Sequence, residues 1–300
     1  MLSLYHRAGS PSSRVLHLWF ELRAVYQRAQ QSEQRARGKA QTALPPPLVL
    51  YEFEEEQEAV SKEEWFVQDA PNGEVPLLLD RGVALWDSCA ICTYLLDTYD
   101  PLGLLLPRAH DTKLGYPAKA TPGHSALFSS AARAMYHQIC AVCTQALDHE
   151  ALDLERWHTI YGPWLERMLE ERAGQRRTVS VLFDTLEVRN TGHRPYLLGA
   201  GYSALDMVLC YALNKLDSGG GGQRLGQTRG STFLCRLRYP LLCDYKARIS
   251  RSDAWNRSII TSKQWAELNL PSVPGLICCK AQPQCPLQPW SHGQWIQFDD

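Results

Sequence analysis

Three short stretches of this chain carry residue types whose spacing could do chemistry. The first is Ala8-Gly9-Ser10-Pro11-Ser12-Ser13, a turn that supplies hydroxyls at a helix start, with proline just inside. Hydroxyls at the positive end of a helix are suited to holding an anion. The second is Asn72-Gly73-Glu74-Val75-Pro76. A proline heading a strand has no N–H for the ladder, so Val75 is expected to present its main chain to something other than the sheet, with a ligand as the natural occupant. The third, Asp87-Ser88, offers a carboxylate and a hydroxyl where another helix opens. Two further pairs, Cys89-x-x-Cys92 and Cys140-x-x-Cys143, place sulfurs at i and i+3 along helix faces among apolar neighbours. Both read as packing. They lie too far apart in sequence for an ordinary zinc ribbon, although distance in sequence does not exclude proximity in space.

The elements that must position these residues follow from periodicity. Leu2 to Tyr5 reads as a strand, and Val15, Leu16, Leu18, Trp19, Leu22 and Val25 recur at helical spacing. Gln27 to Gln41 is rich in glutamine, arginine and alanine. It prolongs that helix or forms a solvated insertion, with a basic docking surface as the rival reading. Pro45-Pro46-Pro47 forces extended chain before a second strand at Leu48 to Tyr51. Glu54, Glu55, Glu56 and Glu58 read as a solvent-facing loop, and Glu63 to Val67 as a short helix. The apolar run after Pro76 is reversed at Arg81-Gly82 into a second short run, a hairpin, and a helix is expected from Ser88 to Thr98.

Residues 100–124 lack sustained periodicity and read as a linker. Beyond it the pattern is helical: Met135, Ile139, Val142 and Ala146 form one stripe, and Tyr136, Cys140, Cys143 and Leu147 another. Helices are expected from about Ile160 to Arg172 and through Val179, Leu182, Phe183 and Leu186. Ser203-Ala204-Leu205-Asp206 spells a capping box, which makes Ser203 and Asp206 structural rather than catalytic, ahead of a helix apolar on every side. The glycines of Ser218 to Gly222 lack the lysine of a phosphate loop and read as a flexible connection. A last core helix runs from Tyr239 to Ile249, with a turn at Asp253-Ala254-Trp255. The tail at 263–300 reads as a poorly ordered extension; Cys278, Cys279, Cys285 and His292 could bind a soft metal, but their spacing fits no standard finger.

Composition narrows the classes. The chain has 300 residues, enough for about two domains as a soft prior. With 31 basic against 32 acidic residues, neither nucleic acid nor a membrane is expected as the main partner. Met1 to Arg14 has no continuous hydrophobic segment of signal length, so a cytoplasmic location is the default expectation. There ten cysteines are mostly free thiols.

The order asparagine, glycine, any residue, valine, proline, then Asp87 followed by Ser88, resembles the end of the thioredoxin-like domain of glutathione transferases. Ser10 to Val15 is similar to the segment carrying the catalytic hydroxyl in the serine-type, cytosolic members, and Ser203 to Leu213 resembles the capping box and central helix of their all-helical second domain. The resemblance implies a thioredoxin-like α/β N-terminal domain over 1–99, with an insertion at about 27–47, a linker at 100–124 and an all-helical bundle over 125–262. It implies glutathione as co-substrate, no metal, a homodimer, and a role such as detoxification of a small electrophile. Thioredoxin-like redox proteins place two cysteines at the first turn; Ser10 and Ser13 stand there instead, which leaves no sulfur for dithiol exchange. Ser10 becomes the expected catalytic hydroxyl, with Ser13 as the alternative and Tyr5 a weaker candidate in the strand. Val75, Pro76, Asp87 and Ser88 become the expected glutathione-binding residues, and Arg133, Tyr136 and His137 the guessed acceptor pocket.

The chemistry implied is nucleophilic transfer from sulfur. A cysteine thiol of pKa about 8.5 is only a few per cent ionised at pH 7, and lowering that pKa by about two units takes roughly 2.7 kcal/mol. A serine hydroxyl donating to sulfur at the positive end of a helix can supply part of it. A glutathione-dependent isomerase or dehalogenase would use the same thiolate, and a non-catalytic binding or regulatory module would keep the scaffold without turnover.

Overall fold

The computed structural model describes residues 2–39, 41–53, 64–107, 122–144, 156–170, 195–198, 202–217 and 236–280. The acidic loop at Glu54 to Glu58, the helix expected through Val179, the glycine run at Ser218 to Gly222 and the far tail with Cys285, Trp290, His292 and Trp295 lie outside them. The strands are β1 (Leu2–His6), β2 (Leu48–Glu52), β3 (Leu77–Asp80), β4 (Val83–Trp86) and β5 (Leu276–Lys280). The helices are α1 (Ser12–Arg37), α2 (Glu64–Asp69), α3 (Ser88–Tyr99), α4 (Pro122–Val142), α5 (Gly162–Leu169), α6 (Ala204–Asp217), α7 (Pro240–Ile249), α8 (Asp253–Ser258) and α9 (Ser262–Glu267). A π-helical turn at Trp157–Tyr161 precedes α5. Among the described residues no helix is long and apolar enough to cross a membrane. A thioredoxin-like mixed sheet with its helices, followed by a mostly helical remainder, is thus the fold.

By contacts the chain forms two compact units, one comprising Met1–Ser12, Pro46–Asp87 and Ile260–Asp300, the other Ser13–Pro45 and Ser88–Ile259. The first holds a five-stranded sheet in the order β4-β3-β1-β2-β5. β1 runs parallel to β2 and antiparallel to β3, and β3 pairs antiparallel with β4. The β3–β4 reversal is a two-residue turn with positive φ at Arg81 (46°) and Gly82 (87°), the backbone that matches the twist of a hairpin. One face of this sheet carries Tyr5, Tyr51, Leu77 and Leu79, packed with Phe53 and with Phe66 and Ala70 from α2 and its end. The Tyr5 and Tyr51 rings stack at 4.8 Å.

Part of the stretch that the sequence reads as an unordered tail is built into this sheet. β5 pairs in parallel with β2, Leu48 opposite Leu276 and Leu50 opposite Cys278. α9 is held at its start by a capping box of Thr261 and Gln264. The Ser262 amide donates to the Glu52 carboxylate at 2.8 and 3.0 Å, and the Ser262 hydroxyl also donates to it. The flanking Pro271 and Pro274 mask a short apolar run, Leu276 to Cys279, whose strand partner lies more than two hundred residues away.

In the second unit, α1 is continuous through the glutamine- and arginine-rich stretch as far as Arg37, burying Val15, Leu16, Leu18, Trp19, Leu22 and Tyr26 on its earlier turns. Residues 204–213 of α6 are all buried, as befits a helix surrounded by others. Asp206 accepts from the Leu197 and Ser203 amides at 2.9 and 2.8 Å, the Ser203 hydroxyl at 2.7 Å and the Tyr245 hydroxyl at 2.9 Å. The Ser203 hydroxyl thus donates to Asp206, while the amide of Asp206 bonds to the Ser203 carbonyl. Asp100, inside the expected linker, organises the loop after α3: it accepts from the amides of Leu104, Leu105 and Leu106 and from the Tyr26 hydroxyl. Glu166 of α5 caps α7 through the amides of Leu241 and Leu242, at 2.7 and 3.0 Å.

Candidate functional site

The sheet register decides which of the chemically capable stretches come together. Tyr5 near the end of β1 pairs with Leu77 at the start of β3, and Leu77 pairs with Trp86 at the end of β4. The serine turn that follows β1, the Val75-Pro76 corner that precedes β3 and Asp87 that follows β4 therefore leave the sheet from the same end.

The turn after β1 is a closed hydrogen-bonded cluster. Gly9, at φ 71°, takes a left-handed conformation that a side chain would strain. The Ser10 hydroxyl donates to the Arg7 carbonyl at 2.8 Å and lies 2.6 Å from the Ser12 hydroxyl. Ser12 Oγ lies 2.8 Å from His6 Nδ1, accepts from the Arg7 amide at 3.1 Å and lies 3.0 Å from the Arg7 carbonyl. The Ser12 amide donates to Ser10 Oγ at 3.2 Å. Ser10 is half-buried, whereas Ser12 and Ser13 are fully buried. Ser13 Oγ has no hydrogen-bond partner among the described residues. His6 is wholly buried, and that burial lowers its pKa to about 3, so the ring is neutral. Sequence reasoning missed His6 as a site neighbour. Its signal was present, a polar residue closing an apolar strand directly before the serine turn.

Val75 is half-buried, joined to a buried Pro76 by a cis peptide bond, and its main chain makes no hydrogen bond to another main chain among the described residues. Asp87 sits between β4 and α3 with φ 72°. A non-glycine residue held there costs on the order of 1–3 kcal/mol, a cost met where function fixes the backbone. Ser88, the first residue of α3, is buried and accepts from Arg14 Nη1 at 2.9 Å. Arg14 is itself wholly buried, reaches Cys89 Sγ at 3.4 Å and lies over the Tyr211 ring at 5.1 Å. Arg14 thus fixes the start of α3, a role that its place in the first turn of α1 does not announce.

The guessed acceptor residues do not converge. Tyr136 points into the helical core, fully buried, its hydroxyl 3.4 Å from that of Thr93, and burial pushes its pKa well above the usual value. Arg133 pairs with Asp97 of α3 at 2.6 Å. His137 is exposed. Cys89, Cys92, Cys140 and Cys143 are all buried free thiols, and Cys89 Sγ lies 4.0 Å from the Cys140 carbonyl, so the two spellings meet in one helical core. Among the described residues no group of three histidine, cysteine or acidic side chains is placed to hold a metal ion.

Residues 39–97 match the family model described as glutathione S-transferase, N-terminal domain. A glutathione S-transferase-like protein from Lodderomyces elongisporus has the same fold at 13% identity, with a TM-score of 0.51 over 94% of this chain and 100% of that one. A glutathione transferase homologue from Sulfitobacter, solved with bound glutathione, is 17% identical over 86% of this chain and 96% of that one, with a TM-score of 0.43. An epsilon-class enzyme from the housefly Musca domestica gives 17%, 86%, 91% and 0.44 in the same terms. No curated protein matches the chain in sequence. The matched residues span β2, β3, β4 and nearly all of α3, so the likeness to the glutathione S-transferase N-terminal domain covers Val75, Pro76, Asp87 and Ser88 and the strands and helix beside them.

Proposed function

We propose that the chain binds glutathione at the sheet end shared by the serine turn, Val75-Pro76 and Asp87, and activates its thiol as a thiolate for attack on a small electrophile. The observation that carries this reading is the register Tyr5 to Leu77 to Trp86, which gathers the three stretches. Ser10 is the accessible hydroxyl of the turn and stands just ahead of α1, where the helix dipole favours negative charge. Its proton rests on the Arg7 carbonyl and can turn to a sulfur. Val75 offers an amide and a carbonyl to the cysteinyl part of the tripeptide, and Asp87 with Ser88 takes the γ-glutamyl ammonium and carboxylate. Burial of Ser13 favours Ser10 as the working hydroxyl. The physiological form in this reading is a cytoplasmic homodimer that detoxifies electrophiles.

The test is conjugation of a model electrophile together with retention on immobilised glutathione. Ser10→Ala should be retained yet lose activity by about tenfold or more at neutral pH, the loss of thiolate expected when a thiol pKa near about 6.5 returns most of the way to about 8.5. Unchanged rates would move the role to Ser13. Retention of the wild type without turnover of any electrophile would leave a glutathione-binding module.

A further inference from the structure

We propose that His6 and Ser12 are positioning residues that aim the Ser10 proton outward, through a chain running His6 Nδ1–H to Ser12 Oγ–H to Ser10 Oγ–H. The inference rests on the reading of Ser10 as the thiolate donor and adds what directs its proton.

Counting protons through the cluster fixes its polarity. Two hydroxyl oxygens 2.6 Å apart must have one hydrogen between them, because facing lone pairs would repel. The Ser10 proton is spent on the Arg7 carbonyl, so the shared hydrogen belongs to Ser12. A hydroxyl has one proton, and with it given to Ser10 the contact at 2.8 Å requires His6 to donate from Nδ1. The Arg7 carbonyl, 3.0 Å from Ser12 Oγ, cannot take that proton instead, because Ser12 Oγ would then have to accept from Ser10, His6 and the Arg7 amide with only two lone pairs. Donating to Ser10, it accepts from His6 and the Arg7 amide and is complete. Ser10 Oγ accepts from the Ser12 hydroxyl and the Ser12 amide. Of the hydrogen bonds of the pair, only the one from Ser10 Oγ to the Arg7 carbonyl can turn to another acceptor without breaking the rest.

The opposite polarity, Ser10 to Ser12 to His6, would point that proton inward. It would also leave an N–H at His6 Nε2, which is buried without a partner. An orphaned N–H is rarer and costlier than an unused lone pair, so the outward polarity is the one the surroundings select. Each donor polarises the next, which strengthens the last bond to an anion. His6 can act this way without charging, since burial holds it neutral down to about pH 3. The groups around it are accounted for: Glu52, its register partner on β2, spends its carboxylate on Ser262, and Arg7 joins the cluster through its main chain.

The experiment has two readouts on the full chain. Nitrogen NMR of the imidazoles should show His6 as the Nδ1–H tautomer before any ligand is added; an Nε2–H tautomer overturns the proposal. The thiol pKa of bound glutathione is then measured in wild type, Ser10→Ala, Ser12→Ala, His6→Leu and His6→Asn. Ser12→Ala and His6→Leu should each raise it by about one unit, a tenfold loss of thiolate below that pKa, with glutathione affinity changed less than about threefold. His6→Asn, which keeps an N–H near the Nδ1 position, should return it toward the wild-type value, a rescue that mere packing would not produce. If Ser10→Ala raises the pKa while Ser12→Ala and His6→Leu leave it unmoved, the chain is refuted and the thiolate reading stands. If wild type itself ionises no thiol, the reading fails and the chain with it.

Discussion

Three serines share one turn, and their surroundings separate them. Ser13 is sealed in, Ser12 is fully engaged, and Ser10 alone combines partial exposure with a proton that can be redirected. Sequence could place hydroxyls at a helix start but could not rank them, because rank depends on burial. The same holds for His6 and His17, both wholly buried, whose pKa values burial lowers from 6.5 to about 3. The unfolded chain takes up protons on these rings below about pH 6.5, and the folded chain does not. Their contribution to stability is therefore complete above pH 6.5 and lost as pH falls toward 3. We expect a fall of about 1.4 kcal/mol per pH unit for each histidine within that window. Denaturant midpoints between pH 7 and pH 4 check the slope, and replacing His17 by glutamine should remove about half of it. Asp87 makes a second residue-scale prediction. Asp87→Gly relieves the left-handed backbone and should leave stability unchanged or raise it by up to about 1 kcal/mol, while weakening glutathione binding. Thermal denaturation and a binding titration on the same variant separate the two effects.

At the scale of elements, what was legible was local. The Arg81-Gly82 reversal, the start of α3 at Ser88 and the capping spelling at Ser203 and Asp206 each depend on a few adjacent residues, and each element stands where its signal falls. β5 was not legible, because a strand is made by its partner and β2 is remote in sequence. Asp100 reads as part of a linker in sequence, since nothing in its neighbours reveals three amides and a tyrosine converging on it. Asp206 carries the sharpest stability prediction. Burial raises its pKa, opposed by the four donors it accepts from, so removing the carboxylate strands buried amides and two hydroxyls. Asp206→Ala should cost about 3 kcal/mol or more, and Asp206→Asn less, read from chemical denaturation.

At the scale of the whole molecule, the sheet brings together stretches that lie far apart in sequence. Ser10 and Val75 are more than sixty positions apart in sequence, yet β1, β3 and β4 deliver the serine turn, the Val75-Pro76 corner and Asp87 to one end of the sheet. The expected acceptor residues carry no such constraint: Arg133, Tyr136 and His137 lie on one helix whose buried face the sequence does not fix, and Tyr136 is core. Ultraviolet difference absorbance of the glutathione complex against pH reads the ionisation of the bound sulfur directly. Bound thiol should ionise with a pKa about two units below the free value of roughly 8.5, and Ser10→Ala should return it most of the way. A bound thiol that titrates like free glutathione in the wild type, or identically with and without the Ser10 hydroxyl, would contradict the proposed thiolate site.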